Sequence, residues 1–545
     1  MYIRRKSLKN NKVSVQIVSA KRVCGGKRKL VILKHIGTCD IGDSVSYDYL
    51  LKIAKDKLEN TKYLKPNTLF NLEKSVGGSS FFDRFSKPII LKVGFNEVLG
   101  STFNKVFASS IATNSSLKPL LCNSFEHSIN IDLLKDLVVA KIAYPVSKVK
   151  TVNWLNKNNL NYSLNKLSVD MVYKFMDKID EKQIDIFSNL ILKFVKKELK
   201  LDINILFFDA TTLHFETFIE EDFRKPGYSK VGKHNQPQLL IGLVVNKEGL
   251  PLNYNVFEGN TFDGNTIKKA LEDIKSKFKL KEKEDVILVA DSAMLSKNNI
   301  ELIEKNKYKF ILAHRKKSLN NNLKNQILDK DNYKNNIFEI QDFNNSNHRL
   351  ISSYSEKRAK KDKLDRDKKI EKLKKKITNN KLTKTKLGNS KLQSKFIKIT
   401  GEAKVNIDED KVEEDAKWDG LKTYITNIPK NVLAQKEIIE KYNDLWRVEQ
   451  AFRIYKNDLK VRPVFHYKKE RIEAHLLISF IGLFISKYLE YIFKVQKYSI
   501  RRIIENLETN QLIILKDKKT NQQFEIKTEK SDICKIIYKK LKVNG

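Results

Sequence analysis

Cysteine is scarce in this chain of 545 residues, which contains only Cys24, Cys39, Cys122 and Cys534. Four cysteines so far apart cannot form a disulfide framework, and they lack the CxxC or Cys/His spacing of a zinc site. The sequence therefore predicts a protein of a reducing, cytoplasmic compartment.

Long apolar runs are also missing. The longest, residues 476–485, is half the ~20 residues that a membrane span needs, and Lys487 and Glu490 follow it closely. The basic N-terminus has no apolar segment of the kind found in secretory signals. We therefore expect a buried helix at 476–485, with neither a membrane span nor a signal peptide.

Acidic residues are under-represented, with 65 Asp and Glu against 105 Lys and Arg, so the net charge is +40. The excess indicates either a polyanionic partner such as nucleic acid or a lysine-rich coding bias. The charge is not evenly spread: residues 201–314 carry 16 basic and 17 acidic residues, whereas residues 355–398 carry 18 and 5. Coding bias alone does not explain such zoning. Hydrophobic residues at 41% are sufficient for folded cores.

The middle of the chain has the pattern of an α/β sheet. Apolar runs at 203–208 and 286–290 predict strands buried on both faces, and residues 239–257 predict a hairpin with a turn at Gly249. With helices at about 264–279 and 296–306 and a strand at 308–313, the predicted order is β-β-β-α-β-α-β.

Two carboxylates stand directly after buried strands. Asp209 ends the first apolar run, and Asp291 ends the later one. If the strands are neighbours, the two carboxylates converge at one sheet edge, where a divalent metal such as Mg²⁺ would offset their repulsion. The alternative is that each Asp only caps the turn that follows. The pair favours a metal site.

A third acid follows from helix geometry. One long helix is predicted at about 438–459, and seven residues of an α-helix turn through about 700°. Tyr442, Glu449 and Lys456 would then share one stripe, beside an apolar face that contacts the core. Arg453 would flank Glu449 with positive charge. The alternative for Glu449 and Arg453 is an ordinary exposed i,i+4 pair.

This stretch resembles a known family. Tyr442, Glu449 and Lys456 match the Tyr-x2-Arg-x3-Glu-x6-Lys signature of bacterial insertion-sequence transposases with an Asp-Asp-Glu triad, whereas Leu445 stands at the Arg position. The texts FFDATTLHFET, IGLVVNKEGLPLNYNVFEGNT, VILVADSAM and LKVRPVFHYKKERIEAHLLISFIGLF are similar to the same branch. The resemblance covers residues from about 130 to 493.

The resemblance implies a fold and a layout. The fold is expected to be α/β, an RNase H-like mixed sheet with flanking helices, interrupted by a basic insertion subdomain and preceded by an N-terminal β-hairpin and helical region. The expected regions are 1–200, with the hairpin, helices and DNA end recognition; 201–317, the first part of the core with both Asp; 318–437, the basic insertion; 438–495, the second part of the core with the Glu helix; and 496–545, a small C-terminal region.

It also implies a reaction. Asp209, Asp291 and Glu449 would be the catalytic residues and hold two Mg²⁺ ions, with Mn²⁺ as a possible substitute, for cleavage at the element's ends and strand transfer into target DNA by cut and paste. The implied partners are double-stranded DNA and a second copy of the chain in a synaptic dimer. The implied location is the nucleoid region of a bacterial cytoplasm.

Several basic residues are expected to bind DNA. They are Lys456, Arg453 and three lysines of the insertion, Lys374, Lys375 and Lys376. Tyr442, which shares a helix face with Lys456, is also expected to contact a DNA phosphate. These contacts would be independent of base sequence and sensitive to salt.

Alternatives remain for the side candidates and for the whole chain. Trp418 would either stack on an extruded base or pack in a core, and His214 would either bind metal or be an ordinary histidine. The chain could also be an inactive or repurposed transposase-derived DNA-binding protein, or an RNase H-fold nuclease that cuts without joining.

Overall fold

A computed structural model describes most of the chain. The described residues are 2–7, 12–22, 28–43, 46–48, 50–51, 54–55, 85–108, 130–158, 166–217, 219–220, 224–227, 236–278, 286–315, 319–341, 347–378, 395–400 and 404–543. Cys24, Cys122 and residues 379–394 of the lysine-rich segment lie outside them. The chain divides into two compact units, one of residues 1–89 with 513–526 and one of residues 90–512 with 527–545.

The elements are labelled in chain order. The described strands are β1 (Tyr2–Ser7), β2 (Lys12–Arg22), β3 (Arg28–Asp40), β4 (Ile89–Leu91), β5 (Ile205–His214), β6 (Gln238–Asn246), β7 (Pro251–Glu258), β8 (Ile287–Ala290), β9 (Lys309–His314), β10 (Ile337–Gln341), β11 (Arg349–Tyr354), β12 (Ile397–Thr400), β13 (Lys404–Ile407), β14 (Leu421–Thr426), β15 (Leu512–Lys516) and β16 (Gln523–Lys527).

Helices of at least eight residues form the second set. In the described part they are α1 (Ile131–Ala143), α2 (Lys148–Asn158), α3 (Val169–Met176), α4 (Glu181–Lys193), α5 (Ile267–Phe278), α6 (Lys297–Lys305), α7 (Asn321–Leu328), α8 (Glu356–Thr378), α9 (Glu409–Ala416), α10 (Gln435–Asn443), α11 (Trp446–Arg453), α12 (Lys469–Ile492), α13 (Ile500–Leu507) and α14 (Asp532–Leu541). Shorter helical turns precede α1 over 93–108, follow α4 at Phe194–Glu198, and follow α11 at Ile454–Asp458.

In the first unit, the N-terminal strands form an antiparallel sheet of order β1-β2-β3. The expected N-terminal β-hairpin corresponds to β2 and β3, which pair antiparallel. The sheet is larger than the predicted hairpin because β1 pairs with β2 along its whole length. Val13, Val15 and Ile17 of β2 are buried.

The second unit is built on an eight-stranded sheet of order β10-β11-β14-β9-β8-β5-β6-β7. β8 is parallel to both β5 and β9, whereas β6 and β7 add antiparallel strands on the other side of β5. The predicted order β-β-β-α-β-α-β is confirmed as β5-β6-β7-α5-β8-α6-β9. β6 and β8 are buried along their whole length, as expected for strands covered on both faces.

The segment 318–437 contributes to this sheet. Its strands β10, β11 and β14 extend the sheet beyond β9 through antiparallel pairing. The hairpin β12–β13 and helix α8 lie apart from the sheet, with a small apolar cluster of Leu373, Phe396 and Ile397. The five predicted regions and their boundaries stay a prediction.

The single long helix predicted at 438–459 is wrong. The chain forms α10 and then α11, with a tight turn at Asp444 and Leu445 between them. Both turn residues keep right-handed helical backbone angles, so the two helices follow each other without a longer loop. The apolar face predicted for this segment is confirmed, since Val448, Phe452 and Tyr455 are buried.

Helix α12 is long and apolar enough to cross a membrane by length and composition alone. However, 94% of its most apolar 18-residue window is buried inside the protein. It packs against α1, α3 and β7, and residues 476–485 are buried throughout. The prediction of a buried core helix is confirmed.

Candidate active site

The register of two parallel strands brings the first two carboxylates together. Phe208 of β5 pairs with Ala290 of β8. The next residues, Asp209 and Asp291, therefore lie side by side, at the point where β8 ends but β5 continues to His214. The expectation that Asp209 ends its strand is wrong, because β5 goes on pairing with β6 beyond it. Four residue pairs define this register, from Ile205 with Ile287 to Phe208 with Ala290.

Each Asp also bonds to local backbone. Asp209 Oδ1 accepts a hydrogen bond from its neighbour's N–H at 2.8 Å. Asp291 Oδ1 accepts one from Ser292 N–H at 2.5 Å and caps the helical turn Ser292–Met294. The alternative of a capping Asp thus holds for Asp291. It does not exclude a site, since a carboxylate has a second oxygen and further lone pairs.

Glu449 reaches the same place from α11. This helix packs on β5 and β6 through its apolar side, where Val448 and Ala451 are fully buried. Glu449 lies on the exposed side of the helix. The helix therefore holds its carboxylate at the margin between the core and solvent.

All three carboxylates line one cavity of about 470 Å³. It contains acidic, basic and aromatic side chains from six elements and from the segments between them. The lining residues are Asp209, Asp291, Ser292, Ala313, His314, Arg315, Arg358, Leu421, Lys422, Thr423, Tyr442, Asn443, Leu445, Trp446 and Glu449. Leu445, at the Arg position of the signature, therefore puts an apolar side chain here.

The pKa of Tyr442 is affected by the charges of the cavity. The phenol is 4% exposed, and its ring centroid is 4.8 Å from that of Tyr424. Burial is the main cause that raises its pKa, and the negative charges of Asp291, Glu449 and Asp209 raise it further. The phenol therefore stays protonated and can donate a hydrogen bond.

Sequence reasoning missed the cations of this cavity. Arg315, Arg358 and Lys422 all line it. Burial lowers the pKa of Lys422 to about 8, and the charge of Arg358 lowers it too, whereas Asp291 and Glu449 act in the opposite direction. No local pattern distinguishes Lys422 among 105 basic residues. Only strand pairing reveals it, because β14 runs beside β9.

Two of the predicted DNA contacts lie outside the cavity lining. Lys456 donates a hydrogen bond to Thr211 Oγ1, and its Nζ lies 5.5 Å from the ring centroid of Phe452. Arg453 is exposed on α11. Lys456 thus contacts the strand that carries Asp209, two residues further along it.

The predicted insertion lysines lie on the last turns of α8. Lys374, Lys375 and Lys376 are all exposed. Lys375 Nζ is 2.5 Å from Glu371 Oε1 one turn earlier. The three side chains are not part of the cavity lining.

The two side candidates have ordinary surroundings. The Trp418 ring is 6% exposed and belongs to the main hydrophobic core, which agrees with the packing alternative. His214 lies at the end of β5, and its Nε2 is 4.0 Å from Glu216 Oε1. Neither residue lines the carboxylate cavity.

The carboxylates fit a hard divalent cation in their chemistry, since Mg²⁺ prefers oxygen ligands. Among the residues that the structure describes, however, no three His, Cys, Asp or Glu side chains lie close enough together to hold one ion. The three carboxylates repel one another, and this repulsion favours larger distances between them.

Comparison with known proteins identifies a family that this chain matches. Residues 200–485 match the family model described as the transposase DDE domain. The transposase for insertion sequence element IS231B of Bacillus thuringiensis subsp. berliner is 24% identical over 90 residues, 16% of this chain and 18% of that protein. The transposase for insertion sequence element IS1151 of Clostridium perfringens is 27% identical over 74 residues, 14% of this chain and 16% of that protein. Each match spans less than a fifth of the relative's length.

Solved structures give weaker similarity. A piggyBac transposase synaptic complex with hairpin DNA has a TM-score of 0.37 at 12% identity, with 76% of each chain covered. The Mos1 transposase paired-end complex with the left transposon end has a TM-score of 0.15 at 13% identity, covering 34% of this chain and 58% of that one. With such low TM-scores, neither structure supports a fold assignment. The family model matches more than half of the chain, and the chain therefore belongs to the transposase DDE domain family.

Proposed function

We propose that this chain is the DNA transposase of an insertion sequence. It would cut phosphodiester bonds at the element's ends and join the freed 3′ ends to target DNA, in a cut-and-paste reaction. The observation that carries this proposal is the cavity lined by Asp209, Asp291 and Glu449. The three carboxylates come from distant parts of the sequence and reach one place only through the fold.

The proposed fold is RNase H-like. The order β7-β6-β5-β8-β9, with β5, β8 and β9 parallel and the β6–β7 hairpin antiparallel, supports it. The Tyr442, Glu449 and Lys456 spacing supports the branch with the Tyr-Arg-Glu-Lys signature, although Leu445 departs from it. A bacterial, nucleoid-associated location is part of this proposal.

Asp209, Asp291 and Glu449 are the residues that would hold two Mg²⁺ ions, or Mn²⁺ in their place. Such ions, when bound, activate the attacking hydroxyl and stabilise the leaving oxygen. The chain's own residues supply the rest: the strands fix the two Asp positions, α11 holds the Glu, and the Tyr442 phenol donates a hydrogen bond.

The proposed partner is double-stranded DNA, bound by two copies of the chain in a synaptic dimer. The net charge of +40 and its concentration in 355–398 support a polyanionic partner. The proposed DNA contacts are Tyr442, Lys456, Arg453, Lys374, Lys375 and Lys376. An inactive DNA-binding descendant and a nuclease without strand transfer are the alternatives.

Glu449→Gln tests the proposal. We expect the variant to lose Mg²⁺-dependent nicking of a plasmid that carries the gene's flanking inverted repeats, by on the order of 10³-fold or more. Binding to the same DNA should remain, because only one carboxylate charge is removed. Glu440→Gln, on the neighbouring helix and outside the cavity lining, is the matched control.

Three outcomes separate the proposal from its alternatives. Full nicking by Glu449→Gln would remove Glu449 from the site. Binding without any metal-dependent nicking by the unmodified chain would favour the inactive descendant. Nicking without joining of pre-cleaved ends to a second plasmid would favour the nuclease.

A further inference from the structure

The carboxylate cavity also carries positive charge. Lys422 at the start of β14 and Arg358 in the first turn of α8 line it together with the three acids. A cavity with only carboxylates would repel the phosphodiester on which, in the proposed function, those carboxylates act. The two cations therefore reduce an electrostatic barrier at the place where the substrate must enter.

Aromatic rings hold the Lys422 side chain. Its Nζ lies 4.2 Å from the ring centroid of Tyr442 and 5.5 Å from that of Tyr424. Ammonium groups are attracted to the face of such rings, and this attraction is stronger when water is partly excluded. The ammonium is thus positioned at the cavity by uncharged partners, which do not neutralise it.

Two contacts join the first half of α8 to the residues just before β14. The Arg366 guanidinium donates to both oxygens of Asp419, at 2.6 and 2.7 Å. Gly420 N–H donates to Asp362 Oδ2 at 3.2 Å. Because these contacts join the helix to the turn before Lys422, the two cations keep a constant relation to each other.

Helix α8 continues the positive charge away from the cavity. Its 23 residues contain 12 basic and 5 acidic side chains, and only Arg366 and Leu373 are buried. A helix of that length is about 35 Å long, comparable to one turn of B-form DNA. A DNA strand that leaves the cavity at Arg358 would therefore meet a basic surface.

We propose that Lys422, with Arg358 beside it, binds a backbone phosphate of the DNA strand that the carboxylates act on, and that the strand then runs along α8. This inference rests on the proposed function. It assigns Lys422 as a positioning residue for the reaction, which no local sequence motif indicates. The ligand class is a DNA phosphodiester.

Lys422→Met tests the inference in the full chain, with a 30-base-pair fluorescent duplex of the flanking inverted repeat for binding and a plasmid for nicking. Loss of one phosphate contact should lower the slope of log affinity against log salt by about 1. The nicking rate at saturating protein should fall about 10-fold or more. Lys422→Arg should restore the slope.

Lys309→Met is the matched control, since Lys309 begins β9, whereas only the last residues of that strand line the cavity. Its rate and its slope should stay close to those of the unmodified chain. Thermal unfolding separates binding from folding: Met loses the attraction of the ammonium to the two rings but also the cost of burying a charge, so the Met variant should unfold close to the temperature of the parent.

The outcomes are distinct. An unchanged slope and rate in Lys422→Met, while Glu449→Gln is inactive, would overturn this inference and leave the proposed function intact. A lower melting temperature with an unchanged slope would assign Lys422 a structural role and also overturn it. If the unmodified chain binds the DNA but shows no metal-dependent nicking, the proposed function fails, and this inference fails with it.

Discussion

The side chains at the cavity differ in how visible they are in the sequence. Asp209 and Asp291 end apolar runs, so local pattern marks both as candidates. Lys422 has no such mark, and only the pairing of β14 with β9 brings it to the cavity. A site residue is therefore predictable where its own neighbours set it apart, and hidden where a distant strand positions it.

Buried bases are a second residue-scale feature. Lys141, Lys148, His466 and His475 are each 6–8% exposed in the second unit. Burial lowers the pKa of His466 to about 3, and the nearby charges of Lys148, Lys141 and Arg471 add to the shift. In the folded chain this imidazole is neutral at pH values where it would be protonated in the unfolded chain.

His466→Gln should make the fold less sensitive to acid. Because the folded pKa is depressed, the unfolded chain binds the extra proton between pH 6.5 and about 3, so stability is lost as pH falls through that window. As the pH falls, the free energy of unfolding should decrease less in the variant than in the parent, by up to about 1.4 kcal/mol per pH unit. Urea unfolding at pH 7 and pH 5 measures this difference. Equal losses in both proteins would contradict a neutral, buried His466.

Elements were predicted best where the sequence contains a nearly continuous apolar run. The strands β5 to β9 and helix α12 follow from their apolar runs, whereas periodicity did not indicate α8, which buries only Arg366 and Leu373. The predicted long helix at 438–459 divides at Asp444 and Leu445. The apolar pattern continues across that turn, because both residues keep helical backbone angles, so the pattern alone could not locate the break.

The turn at Gly420 is the element on which the position of β14 depends. Its φ of +78° is in the left-handed region, and a Cβ there would lie 2.8 Å from the backbone oxygen of Ser355. That oxygen cannot move freely, because Ser355 N–H itself donates to the Gly420 carbonyl at 3.0 Å. Glycine is therefore required.

Gly420→Ala should destabilise the second unit by about 1–3 kcal/mol, since it adds backbone strain and a clash. Gly249→Ala is the matched control: its φ is +84°, but a Cβ there meets nothing closer than 3.5 Å. The free energy of unfolding of the control should fall by a smaller amount, about 1 kcal/mol. Urea unfolding of both variants checks the order. A larger loss in the control would show that the close contact at Gly420 is relieved at little cost.

At the scale of the whole molecule, charge is divided between regions. Residues 201–314 are close to neutral, and they contain both Asp residues of the cavity, whereas residues 355–398 contain the whole of the strongly basic helix α8. Arg358 connects the two regions, because it belongs to α8 and lines the cavity. The uneven charge thus has a structural counterpart in a basic surface that begins at the carboxylates.

Removing charge from α8 tests that surface. Lys374, Lys375 and Lys376 changed together to Gln should lower the salt slope of DNA binding by about 2–3, because each contact releases about one counterion. The matched control replaces Lys535, Lys539 and Lys540 on α14. Binding assays between 50 and 200 mM salt give both slopes. Equal slopes in the two variants would mean that α8 is not part of the DNA contact surface.

The sequence by itself determined the order of β5 to β9 along the chain, the burial of α12, the two carboxylates that follow apolar runs, and the resemblance to a transposase family. These follow from local apolar patterns and short motifs, which act over a few residues. The tertiary structure decided that three strands of the segment 318–437 extend the main sheet, that α10 and α11 are separate helices, and that Lys422 and Arg358 line the carboxylate cavity. Those features depend on pairing between residues far apart in the chain, and local sequence patterns carry no information about which distant strand becomes a neighbour.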